Sequence, residues 1–141
     1  MNINRVTLGI IIALGCASTA MAQVDNTATG TNAPISNTTG DFNSAFGYYA
    51  LQSNTTGDEN TASGGFALFK NTTGSRNTAI GNAALAYAGI GSYNTAVGFD
   101  ALNSNYAGDY NTAMGYSALI HSHDGKNNAA VGGSSLYGNT S

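Results

Sequence analysis

The chain has 141 residues, four Lys or Arg against seven Asp or Glu, only 8% charged residues, 19 glycines and one cysteine. A formal charge of −3 without any basic cluster argues against nucleic acid, because phosphate binding needs grouped Lys and Arg. A single cysteine excludes an internal disulfide framework, so stability has to come from packing or repetition.

Residues 1–22 read as an export leader: Arg5 precedes an apolar run over residues 6–14, and Ala20-Met21-Ala22 forms the cleavage site. The rival reading is a lipid anchor at Cys16, but Ala13-Leu14-Gly15 lacks the usual leucine three residues before the cysteine. The run also falls well short of the about 20 residues that span a bilayer. The expected product is residues 23–141, exported to the extracellular space or cell surface, with no transmembrane segment and no cysteine.

From there on the chain repeats. Aligned on Asn26, Asn43, Asn60, Asn77, Asn94, Asn111 and Asn128, it reads NTATG, NSAFG, NTASG, NTAIG, NTAVG, NTAMG and NAAVG, with a period of 17 and no insertion. Eight residues after each Asn from Asn43 onward stands a leucine: Leu51, Leu68, Leu85, Leu102, Leu119 and Leu136. Glycines recur three residues before the Asn and four after it. A fixed period of this kind decides the fold class more firmly than local propensity does.

Within one period, residues 76–80 alternate polar and apolar and end at Gly81, as a short strand entering a bend would. Residues 82–87 read as a second short strand, and the NTTG stretches at residues 37–40, 54–57 and 71–74 as turns whose glycine is available for positive φ. Two strands and two turns make one coil of an all-β parallel β-solenoid, whose coils stack about 4.8 Å apart. Identical residues then form columns, and the seven-fold Asn column is expected to be a structural ladder of amides. Adjacent strand residues point to opposite faces, so Ala79 with Ile80, and Ala84 with Leu85, are not expected to share one interior. Association along the long axis would cover the resulting apolar stripe.

The NTAIG and NTAVG coils resemble the NSVAIG-type repeats of YadA-like heads in trimeric autotransporter adhesins. The array NTTGxxNTAxGxxAL is also similar to repeat regions of bacterial and phage tail-fibre-like proteins. The resemblance covers residues 26–141. It implies a left-handed parallel β-roll, three chains packed about a common axis, and an adhesive or structural role at a surface. The coils here are longer than those of autotransporter heads, and no neck, coiled-coil stalk or membrane barrel is recognisable, so the anchoring mechanism is not carried over.

No catalytic site and no cofactor are expected, because acid–base or nucleophilic work needs converging titratable groups. His121, His123 and Asp124 in HSHDGK lack a third nearby His or a Cys and read as a solvated loop rather than a metal site. Asp41, Asp58 and Glu59 lack a calcium-repeat pattern, and the GIGSYN stretch at residues 89–94 lacks the third glycine of a dinucleotide loop. Ice binding is the competing function, through the column Thr27, Thr61, Thr78, Thr95 and Thr112, although the column two residues on is apolar. Partners are expected to be further copies of the chain and a host or matrix surface, reached through scattered tyrosines such as Tyr87 and Tyr116. The Asn-x-Thr triplets at Asn37, Asn54 and Asn71 read as turn chemistry, not glycan acceptors. Residues 23–141 comprise seven whole periods, with no recognisable cap, which raises the expectation that trimers join end to end in a fibre.

Overall fold

The NTAxG segments each supply a short extended stretch that ends at a glycine, and the glycine lets the chain bend away from the strand direction. In the computed structural model, which describes residues 25–33 and 36–139, these stretches become seven three-residue strands. They are β1 (Thr27–Thr29), β2 (Ser44–Phe46), β3 (Thr61–Ser63), β4 (Thr78–Ile80), β5 (Thr95–Val97), β6 (Thr112–Met114) and β7 (Ala129–Val131). All pair in parallel, in chain order, within one sheet. Every residue meets its counterpart 17 positions on, as Thr78, Ala79 and Ile80 meet Thr95, Ala96 and Val97. The chain is therefore a parallel β-solenoid of 17-residue coils. The expected leader over residues 1–22 and Pro34 lie outside the described residues.

The second strand expected at residues 82–87 is absent; that stretch is a run of tight turns. Ala83 and Leu85 have φ of 56° and 51°, and their equivalents in the other coils repeat the conformation. Turn bonds run from the N–H of Ala84 to Gly81, of Ala86 to Ala83 and of Ala88 to Leu85. The alternate N–H groups, on Ala83, Leu85 and Tyr87, donate instead to neighbouring coils at 2.9–3.0 Å. Every second donor closes a turn and the others stack the coils, so each N–H from residue 83 to residue 88 has a backbone partner.

Left-handed residues also break the two-residue alternation of a strand. Ala84 and Leu85 are both completely buried, so the expected conflict between them does not exist. The interior closes within a single chain: Leu51, Leu68, Leu85, Leu102 and Leu119 stack one on another, flanked by two alanine columns that include Ala79 and Ala84. Leu136 is 47% exposed because no further coil covers it among the described residues. For Ala79 and Ile80, in a true strand, the alternation holds, with Ala79 inside and Ile80 outside.

The two glycine columns differ in their reason for being glycine. Gly81 has φ of +132°, and a Cβ there would strike the carbonyl oxygen of Gly98. Gly74, in the NTTG turn, is not left-handed as expected. It is glycine because a Cβ would strike the carbonyl oxygen of Gly91 and the side-chain oxygen of Asn71.

Candidate functional site

The most regular side chains in the sequence are structural. In all six steps of the Asn column the backbone N–H of one Asn donates to Oδ1 of the Asn before it, as from Asn77 to Asn60 at 3.0 Å and from Asn94 to Asn77 at 2.9 Å. Each Nδ2 from Asn26 to Asn111 donates to a glycine carbonyl 14 residues on, for Asn77 that of Gly91 at 2.8 Å. Direct amide-to-amide bonds occur only at some steps, including Asn60 to Asn43 at 3.1 Å. The ladder is thus built chiefly from side chain to backbone, and it gives both ends of each amide from Asn43 to Asn111 a partner.

A second, interrupted column runs through Asn37, Asn54, Asn71, Ala88, Asn105 and Ser122. Asn54 and Asn71 donate to the carbonyls of Gly57 and Gly74, which also receive Asn43 and Asn60. Where the second column carries Asn, both columns thus converge on one glycine oxygen. Asn71 also donates to Asn54 at 2.8 Å, but its own Oδ1 has no partner because alanine follows at position 88. Burial of Asn54 and Asn71 agrees with the turn reading of their triplets. The hydroxyls of Thr38, Thr55 and Thr72 donate to the next coil's backbone carbonyls. Sequence reasoning took these stretches as turns and missed the coil-to-coil bonds; the 17-residue alignment of the Asn residues was the available signal.

Several charged residues are engaged between coils. Asp58 Oδ1 accepts the N–H of Asp41, and Asp109 Oδ1 accepts that of Ser92, both at 2.9 Å. Arg76 pairs with both oxygens of Glu59 at 3.0 and 3.1 Å, donates to the Tyr93 hydroxyl, and lies over the Tyr93 ring. The hydrogen bond and charge of Arg76 hold the Glu59 carboxyl below its usual range, and the same contact raises Arg76. Burial pushes Asp109 upward, but Lys126 at 2.8 Å and the Ser92 N–H outweigh it and lower its pKa. Asp41, Asp58 and Glu59, weighed above as calcium ligands, are distributed along this ladder. The His121 ring meets Tyr137 edge-on, while His123 lines a shallow hollow with Tyr87, Ser104 and Tyr106. Among the described residues, no group of three or more His, Cys, Asp or Glu is placed to hold a metal ion. No helix among them is long and apolar enough to cross a membrane.

Two surface features remain. On the outer face of the sheet, Phe46, Ile80, Val97, Met114 and Val131 form a column beside Thr61, Thr78, Thr95 and Thr112, with Ser63 interrupting it. Phe46 and Ile80 are each 44% exposed and Met114 45%. On the turn side, Phe66, Phe69, Ala83, Ala86, Tyr87, Asp100 and Asn103 line a notch of about 340 Å³. Its parts are 17 residues apart in sequence (Phe66, Ala83, Asp100 and Phe69, Ala86, Asn103), so column alignment could have located it. No family model matches the chain, and neither a curated protein nor a solved structure does.

Proposed function

We propose that this chain is an exported structural or adhesive surface protein that self-associates through the outer face of its sheet, three copies about a common axis. The observation that carries the proposal is the outward column of Phe46, Ile80, Val97, Met114 and Val131. From Phe46 to Val131 it follows five strand-to-strand steps of about 4.8 Å, roughly 24 Å of largely apolar edge. Monomeric proteins rarely leave so many apolar side chains aligned on one exposed face, even with Ser63 breaking the line. A second copy suits it, because an identical coil spacing lets side chains of two parallel stripes interlock at every step. The leucines from Leu51 to Leu119 do not take part, since they are enclosed within the coils. The reading is non-enzymatic: the carboxylates of Asp58, Glu59 and Asp109 are occupied in coil-to-coil bonds.

Sedimentation equilibrium tests it. The wild type should have a trimer's mass, and the double substitution Ile80→Asp with Val97→Asp should give a folded monomer, because charge on that face resists burial. A wild-type monomer at all concentrations, or a double variant of unchanged mass, would refute it. Ice binding is favoured by one observation, the in-register outward column Thr61, Thr78, Thr95 and Thr112. Thermal hysteresis that disappears in Thr78→Tyr would support that reading instead.

A further inference from the structure

In three places phenyl or phenol rings in the same column of consecutive coils stack. Tyr49 and Phe66 lie 5.6 Å apart and 10° from parallel, Tyr93 and Tyr110 4.7 Å and 9°, Phe99 and Tyr116 5.6 Å and 12°. The first of these stacks stops abruptly. After Tyr49 and Phe66 the column continues with Ala83 and then Asp100. Phe66 therefore has one face against Tyr49 and turns the other toward a position where only a methyl group stands. The neighbouring column stops in the same coil: Phe69, edge-on to Phe66 at 5.4 Å, is followed by Ala86 and then Asn103.

The result is a notch with an aromatic wall, a floor of two methyl groups and a polar far wall. The Phe66 and Asp100 coils are two steps apart, about 9.6 Å. A flat ring in van der Waals contact on both sides needs about 7–8 Å, so one ring fits and two do not. The polar wall is held in place. Asn103 Nδ2 donates to Asp100 Oδ1 and to the Ala83 carbonyl, each at 3.0 Å. The other carboxylate oxygen of Asp100 is left to accept from a ligand, and the Tyr87 side chain forms the rim.

We propose that this notch binds one pyranose ring of a neutral glycan. The ring takes the vacant position in the Tyr49–Phe66 stack. A pyranose presents a C–H face to an aromatic ring and hydroxyl donors around its edge, which matches one apolar and one acceptor wall. A wholly apolar ligand would cover the second carboxylate oxygen of Asp100 without supplying a donor, and an anion would meet its charge. The inference deepens the adhesive part of the proposed function by naming a ligand class. It lies away from the outward strand column and does not depend on self-association.

The test is a two-dimensional amide NMR titration of the purified chain with cellohexaose, maltohexaose and mannohexaose, each at millimolar concentration, with sedimentation measured in parallel. At least one sugar should shift the amides of Phe66, Ala83, Ala86 and Asp100. Ala83→Phe should weaken binding by about tenfold or more, by placing a ring in the vacancy. That variant should fold normally, because Tyr49 and Phe66 already occupy the same left-handed position, with φ of 57° and 59° against 56° for Ala83. Asp100→Asn should weaken binding less. The proposal is overturned if no sugar shifts these amides, if binding survives Ala83→Phe, or if Ala83→Phe lowers the assembled mass in sugar-free buffer, which would make the notch a seat for a second copy. Loss of sugar binding with assembly intact counts only against the notch, and a wild-type monomer that binds sugar counts only against the strand face.

Discussion

The strand side and the turn side of each coil obey the same 17-residue period with very different strictness. On the strand side the Asn column is complete in seven coils and the alanine and glycine beside it never change. On the turn side Tyr49, Phe66, Ala83, Asp100, Ser117 and Ser134 share one column with little chemistry in common. The difference follows from what each position touches. Asn77 bonds to the coil before it and the coil after it, and Gly81 lies against the backbone of Gly98, so a change at either disturbs two coils. Residue 83 projects from the coil, and its left-handed backbone is held by bonds that do not involve its side chain. Invariance marks the lattice, and variation marks surface that is free to acquire a role.

The largest expected effect breaks the strict side. Gly81→Val combines a left-handed φ with a clash against the Gly98 carbonyl and should cost on the order of 4 kcal/mol or more, seen as loss of cooperative unfolding. Gly132→Val, in the same column, has open space around it and should cost markedly less by the same thermal melt. Leu85→Ala should destabilise by about 2–5 kcal/mol, because it opens a cavity inside a closed coil, whereas the half-exposed Leu136→Ala should cost under about 1 kcal/mol. Leu85→Asp should unfold the chain outright and so is no probe of association.

How much of this was legible in the sequence divides along the same line. The period, the parallel solenoid and the inward alanines follow from the register of the Asn residues, and Ala79 with Ile80 obeys strand alternation. The turn side was misread because Ala83 and Leu85 adopt positive φ, which their side chains disfavour and no propensity anticipates. That misreading set Ala84 against Leu85, although both are buried in one interior. The second Asn column was obscured by Ala88 and Ser122, which interrupt it. The notch was within reach of the same column alignment, with Ala83 set between Phe66 and Asp100 and Ala86 between Phe69 and Asn103.

Smaller effects sharpen the contrast. Ala88→Asn should fill the gap in the second Asn column, supplying the donor that Asn71 Oδ1 lacks, and should stabilise by about 1 kcal/mol in denaturant unfolding. The smallest effect concerns pH. Glu59 and Asp109 have depressed pKa values in the folded chain, so their contribution is present above the unfolded values of about 4.3 and 3.9. It is lost as pH falls through the lower folded values. Melting temperature should therefore decline slightly below about pH 4, and less steeply in high salt because these pairs are largely exposed.

Hydrogen exchange of the Asn side-chain amides tests most directly whether the ladder holds the coils together. The Nδ2 protons of Asn60, Asn77 and Asn94 are buried and bonded to glycine carbonyls, while Asn82 is exposed on the turn side of the same coil as Asn77. The expected result is exchange about a hundredfold or more slower for the three ladder residues than for Asn82, as for groups that open only when the coils separate. Equal rates for ladder residues and Asn82 in the folded protein would contradict the ladder.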